Sequence, residues 1–333
     1  MDRVGVAFTG GLTASEIVEC VKQAEDLGYE SAWVAEGHGG DQFAILAACA
    51  TATSRIRLGT SISSVFVRSA PTIAMAAATV DQLSNGRFVL GLGSSHRVQV
   101  ECEHGLAYAR PIDRLRDTVE VVRGLLRDGT VSFRGDVLQI PKFDFWFRPL
   151  RSSVPIYLSG LFQPMLEVCG ALADGVILTW STPAFARGAV AHVATGAQRA
   201  GRDPSAIEMT TLLGCAVGAD VDEARRRLKP GVALYVGFFP RYNRLLAESG
   251  FADAVAAIKT AWDRGDREGA VGLVPDALID AVALAGPPAR CRERLAAYRE
   301  AGVGLPIVTP RVRDGGGVKA VIEAIRACAP AGR

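Results

Sequence analysis

Long apolar runs are missing from this 333-residue chain, and none approaches the ~18 residues that a membrane-crossing helix needs. The longest small-residue stretch, Ala74 to Thr79, breaks at Asp81. The opening MDRVGVAF is short and strand-like and lacks the extended apolar core of a secretory signal, so a cytoplasmic location is expected. Histidine is scarce, with four residues at 38, 96, 104 and 192 and no H-x-x-x-H pair. The seven cysteines (20, 49, 102, 169, 215, 291 and 328) are scattered without a C-x-x-C pair. That spacing suits reduced thiols rather than a disulfide frame and gives no sequence-local zinc site, so no metal is expected. The formal net charge is only +2, and Arg225-Arg226-Arg227 is the densest basic run, which argues against a nucleic-acid face. Glycine turns are present, but neither Phe8-Thr9-Gly10-Gly11-Leu12 nor Gly91-Leu92-Gly93 fits G-x-G-x-x-G, which disfavours a Rossmann nicotinamide site.

What is present is enough apolar material for a large core, 49% of residues, in a regular alternation of strand-like and helix-like runs. Val4 to Phe8 reads as a strand and Thr13 to Leu27 as a helix closed by Gly28. Strands follow at Ser31 to Ala35, at Ile56 to Gly59 running on into Thr60-Ser61-Ile62, and at Arg87 to Gly91. Helices at Gln42 to Thr53 and Pro71 to Leu83 separate them, and Asp113 to Arg127 is the next. The rhythm breaks at Thr130 to Phe147, read as a hairpin insertion over one end of the barrel with an aromatic end at Phe143 to Phe147. It resumes with strands at Val154 to Ser159, Gly175 to Thr179 and Glu208 to Val217, and a helix at Met165 to Leu172. A mostly helical stretch, Val221 to Ala285, precedes a helix at Ala289 to Ala301, the strand Leu305 to Thr309 and a last helix at Val318 to Cys328. Eight strands with interleaved helices and short links imply parallel pairing closed into a (β/α)8 TIM barrel. The expected organisation is one domain over 1–333, with insertions near 130–150 and 221–285.

Barrel active sites lie at the C-terminal strand ends, which selects particular residues. These are Glu36 to Asp41 after strand two, Ser61 to Ser64 and Arg68 after strand three, and Gly93 to His96 after strand four. Ser159-Gly160-Leu161-Phe162 follows strand five, and Trp180-Ser181 follows strand six. Hydroxyls and glycines there let backbone N–H groups approach a phosphate or a flat ring, although the same residues also simply make turns. Glu36 is either a site acid or a helix-start charge. Arg68 is either a phosphate ligand or a partner for a carboxylate. Tyr235, Phe238, Phe239 and Tyr242 read first as helix packing and second as a roof over a pocket. Gly315-Gly316-Gly317 reads as a connector or an anion-binding turn.

Three pieces, R-I-R-L-G-T-S-I (55–62), R-x-x-P (68–71) and L-S-N-G-R-F-V-L-G-L-G (83–93), together with VPIYLSG and ALADGVIL, resemble the bacterial luciferase-like superfamily. The likeness covers most of the first 180 residues, and it is to the coenzyme F420 branch, the methylenetetrahydromethanopterin reductase-like proteins. It implies a non-prolyl cis peptide at Ser61–Ile62 backing the deazaflavin ring, with Ser63 beside it and Glu36 near the ring. It also places Ser94, Ser95 and Gln99 at the ribityl or phosphate region, and Ser159, Gly160, Leu161 and Phe162 at the phosphate. Relatives are usually richer in glycine at that last loop. The sugar-phosphate dehydrogenases of the superfamily carry His directly after the acidic residue and Glu as acid/base. Here Gly37 and His96 stand at those positions, so that activity is not supported.

The resemblance therefore implies an F420-dependent oxidoreductase moving hydride between deazaflavin C5 and a C=N, C=C or C=O bond of a small substrate. His38 is the first candidate proton donor, with Glu36 and His96 behind it; an imidazole titrates at about 6.5, suited to donation near neutrality. An FMN-dependent monooxygenase and a cofactor-free barrel acting as a binding subunit remain the alternatives. A homodimer through the small-residue helices Ala44 to Thr53 and Ala74 to Val80 is expected.

Overall fold

The protein is described by a computed structural model over residues 2–311 and 317–330. The elements are β1 (Gly5–Phe8), α1 (Ala14–Asp26), β2 (Ser31–Val34), α2 (Gln42–Ala52), β3 (Arg57–Thr60), β4 (Ser63–Ser64), α3 (Ala70–Leu83) and β5 (Phe88–Gly93). Then come α4 (Arg97–Cys102), α5 (Pro111–Asp128), β6 (Thr130–Arg134), β7 (Gln139–Asp144), β8 (Ile156–Ser159), α6 (Gln163–Leu172), β9 (Gly175–Thr179), α7 (Pro183–Arg199) and β10 (Glu208–Val217). The chain finishes with α8 (Val221–Phe238), α9 (Pro240–Leu246), α10 (Ala252–Asp263), α11 (Arg267–Gly272), α12 (Asp276–Val282), β11 (Ala283–Gly286), α13 (Pro288–Glu300), β12 (Leu305–Pro310) and α14 (Gly317–Ala327).

Eight of the strands close a ring in the order β1-β2-β3-β5-β8-β9-β10-β12 and back to β1, every pairing parallel. This is a (β/α)8 barrel. Local sequence sets its helix boundaries. Thr13 and Glu16 form a capping box that opens α1, Asp41 accepts the Ala44 N–H at 2.9 Å to open α2, and Ser69 caps α3 ahead of Pro71. Inside the barrel, Trp33 and Tyr157 lie with ring centroids 5.6 Å apart among Ala7, Val89, Ile177, Leu305 and Ile307. Below them the N-terminal end is sealed by charge. Arg57 reaches Glu30 at 3.2 Å and Glu208 at 3.6 Å, and the Tyr157 hydroxyl donates to Glu208 at 2.6 Å.

Two insertions decorate the ring. The hairpin β6–β7 is antiparallel as expected, but it packs on α5 and not over the barrel mouth. The buried Asp117 carboxylate of α5 accepts the N–H groups of Val137 and Leu138 at 2.6 and 2.8 Å, which fixes the hairpin turn. The segment from α8 to α12 has its own apolar core, including Leu228, Val232, Leu245, Ile258, Leu278 and Ile279, joined to the barrel through Leu161 and Trp180. Its end, inside the stretch read as mostly helical, holds a strand that the sequence did not mark. Ala283–Gly286 is a strand, β11, pairing parallel with Gly214–Val217 of β10 beyond the point where β9 leaves that edge. Two helices, α4 and α7, also went without a sequence assignment. Among the described residues no helix is long and apolar enough to cross a membrane.

Candidate active site

Between β3 and β5 the ladder slips. Gly59 pairs with Val89 and Ser63 with Leu92, so β3–β4 carries one residue more than its partner, a β-bulge at Thr60-Ser61-Ile62. The Ser61–Ile62 peptide bond is cis. Thr60 holds the break from below: its Oγ1 donates to Gly91 O and accepts Gly91 N–H, both at 2.8 Å. The glycines of L-G-L-G make the room. A Cβ on Gly91 would sit 1.9 Å from Thr60 O, and one on Gly93 2.6 Å from Ile62 Cδ1. Ile62 thereby stands into a cavity of about 1090 Å³ at the C-terminal strand ends.

One side of the cavity is polar and built from small residues. Ser61, Ser94, Ser95, Gln99, Ser159, Gly160, Leu161 and Phe162 all line it. Ser95 adopts φ 56° and its Oγ lies 3.2 Å from Gln99 Oε1. The Ser61 hydroxyl is buried and has no hydrogen-bond partner among the described residues. Ser63, expected with this group, is fully buried behind the bulge and is not among the lining residues. Its pairing with Leu92 turns its hydroxyl toward Glu36 Oε2, at 3.4 Å.

Glu36 lines the cavity while its carboxylate is held from behind. Oε1 accepts Arg68 Nε at 2.5 Å and Oε2 accepts Ser64 N–H at 2.7 Å. Arg68 also reaches Asp41 at 2.5 Å and lies over the Phe43 ring. Arg68 is thus the partner of carboxylates, and the helix-capping role open to Glu36 belongs to Asp41. His38 sits at the rim, 80% exposed, with Nε2 3.3 Å from Glu103. His96 is enclosed by Phe239 and Tyr242 at 4.6 and 5.2 Å between ring centroids. Burial, with the nearby Arg241 charge second, lowers its pKa from 6.5 to about 4, so the imidazole is neutral at pH 7.

The opposite side is aromatic. Tyr235, Phe238, Phe239 and Tyr242 line the cavity, where helix packing alone was the favoured reading. Trp180 lies 5.0 Å from Tyr235, and Tyr235 4.9 Å from Tyr242. Sequence reasoning passed over Thr9, Arg241 and Arg311, which also line it. Arg311 directly follows the eighth barrel strand, so the strand-end rule contained its signal. Outside the cavity, Cys215, Cys291 and Cys328 converge in the buried layer against β10, their Sγ atoms within 4.8 Å of one another. Their separation in sequence hides that meeting. Gly315 and Gly316 of the glycine run lie outside the described residues.

The family model for luciferase-like monooxygenases matches residues 2–304, and the chain belongs to that family. The 5,10-methylenetetrahydromethanopterin reductase of Archaeoglobus fulgidus is 29% identical over 307 residues, covering 90% of this chain and 91% of the relative. The structure of coenzyme F420 dependent tetrahydromethanopterin reductase from Methanopyrus kandleri superposes with a TM-score of 0.87 at 25% identity, covering 98% and 97% of the two chains. The fold is shared with the FMN-bound oxygenating constituent of 3,6-diketocamphane monooxygenase from Pseudomonas putida, at TM-score 0.70 and 16% identity over 99% and 97%.

Proposed function

We propose that the protein is an F420-dependent oxidoreductase acting on a small organic substrate. The observation that carries this reading is the bulge: Ile62 stands into a cavity of about 1090 Å³ between the serine-bearing strand ends of β5 and β8, with Ser61 beside it in the lining. That volume exceeds the upper range of ordinary small-ligand pockets, roughly 1,000 Å³, which suits a cofactor and a substrate together. The reductase relatives supply the choice of deazaflavin.

When bound, F420 supplies hydride from its C5 to a C=N, C=C or C=O bond. Ile62, standing into the cavity, would back the flat ring, with Ser61 beside it. Ser94, Ser95 and Gln99 hold the ribityl side. Ser159 to Phe162, the loop that leads from β8 into α6, would hold the phosphate. Glu36 is a positioning residue, since its carboxylate is committed to Arg68 and Ser64. His38, exposed at the rim with Nε2 3.3 Å from Glu103, is the proposed proton donor. His96, held neutral, offers an N–H hydrogen bond rather than a charge.

FMN is the second reading, favoured by the FMN-bound relative of the same fold. Fluorescence or calorimetric titration of the purified protein with F420 and separately with FMN decides between them. Tight F420 binding with FMN ignored is the expected result, and it directs a screen of imines and enones with reduced F420. Preference for FMN would replace this proposal with the oxygen-using one.

A further inference from the structure

We infer that Arg311 is the anchor for a carboxylate on the substrate, so that the protein acts on flat organic monocarboxylates. This rests on the proposed function for the identity of the second ligand, but the anion site stands on its own geometry.

Arg311 follows β12 and lines the cavity. Its backbone N–H donates to Cys215 O at 2.8 Å, which fixes where the side chain starts. The guanidinium lies over the Trp180 ring, 5.6 Å from its centroid, and Nη1 reaches Thr9 Oγ1 at 3.5 Å. Nε is buried with no acceptor, and no carboxylate pairs with this group among the described residues. Arg68, Arg151 and Arg225 are paired with Glu36 and Asp41, with Asp81 and with Asp280. Among the described residues Arg87, Arg114, Arg227 and Arg294 are also half-buried without a carboxylate, but they do not line the cavity; Arg311 does, as does Arg241 on the α9 side. A buried charge without a partner is costly, and a planar guanidinium takes a carboxylate through two parallel N–H bonds. Burial also pulls its pKa down, the direction an anion in contact would reverse.

Topology separates this group from the cofactor side. Around the ring, β12 is four strands from β5 in either direction, so Arg311 faces the Ser94–Ser95 loop from diametrically across the mouth. A phosphate held at Ser159 to Phe162, after β8, is three strands away. The anion that reaches Arg311 is therefore carried by the second ligand. Trp180 and Tyr235, with ring centroids 5.0 Å apart and planes tilted by 52°, give that ligand's body aromatic walls beside the guanidinium.

The test uses cinnamate against its neutral amide, cinnamamide, titrated calorimetrically into the wild type and into Arg311→Gln, each with and without F420. Cinnamate should bind the wild type at least about tenfold tighter than the amide, a factor that corresponds to one charge-assisted bond. Arg311→Gln should lose that preference, Arg311→Lys should retain part of it, and F420 affinity should stay within about twofold in both. A second measurement needs no variant: cinnamate, and not cinnamamide, should protect Arg311 of the wild type from phenylglyoxal, read by peptide mass. Equal binding of acid and amide, absence of protection, or a preference that survives Arg311→Gln would overturn the inference. So would loss of F420 affinity in Arg311→Gln, which would give Arg311 to the cofactor's acidic tail. If the wild type ignores F420 but binds cinnamate through Arg311, the anion site holds and the F420 proposal fails.

Discussion

His96 shows how a residue's surroundings settle what it can do. The rings of Phe239 and Tyr242 pack against it, and burial, with the Arg241 charge second, lowers its pKa from 6.5 to about 4. The unfolded chain then takes up a proton at a higher pH than the folded one. Stability from this residue is complete above pH 6.5 and erodes as pH falls from 6.5 toward 4. Replacing His96 with Phe should flatten the decline of melting temperature across that window, measured by scanning calorimetry at several pH values. An unchanged slope would mean that the ring is hydrated in solution. Glu36 makes the complementary case. Its place after strand two marked it from sequence, but whether it caps, pairs or reacts depended on Arg68 and Ser64, which approach from another loop.

At the level of elements, the bulge depends on β5 as much as on β3. Gly91→Ala places a methyl group 1.9 Å from Thr60 O, against backbone that cannot yield without breaking both Thr60–Gly91 hydrogen bonds. The expected outcome is a protein that melts several degrees lower and loses cofactor binding beyond what the lower stability explains. One to three kcal/mol, the order of an overpacked buried site, moves the melting point of a domain this large by roughly 1–4 °C. Calorimetry and F420 titration on the same sample would check it, and full binding by a stable variant would refute the role given to the glycine. The strands around this site were legible because Val, Ile and Leu runs alternate with helix-length runs, the first of them closed by Gly28. β11 was not legible. Ala-Leu-Ala-Gly carries no β-branched residue, and only the exposed edge of β10 makes it a strand. The serine and glycine strand ends named from sequence as cofactor contacts line the polar side of the cavity, Ser63 apart. On the aromatic side Trp180 was named as a strand end and Tyr235 as a possible roof, but Arg311 was not named, and nothing local in the sequence brings these three segments together.

Across the whole molecule, the cavity joins two cores. The serine loops stand on β3, β5 and β8 of the barrel, and the aromatic wall stands on α8 and α9 of the insertion. What binds them is β10, a strand of ten residues. Its first half completes the barrel beside β9, and Gly214–Val217 carries β11 on the same edge, while β12 follows the other as far as Cys215. The wall is therefore riveted to the ring by a shared ladder rather than hung on a flexible linker. Time should show the difference. In hydrogen–deuterium exchange, the amides of 214–217 should be among the slowest in the protein, and those of Gly37 to Gly40, exposed or half-buried at the rim, among the fastest. Traffic into the cavity would then pass by the His38 loop, and the aromatic wall would keep its place through each visit of a ligand.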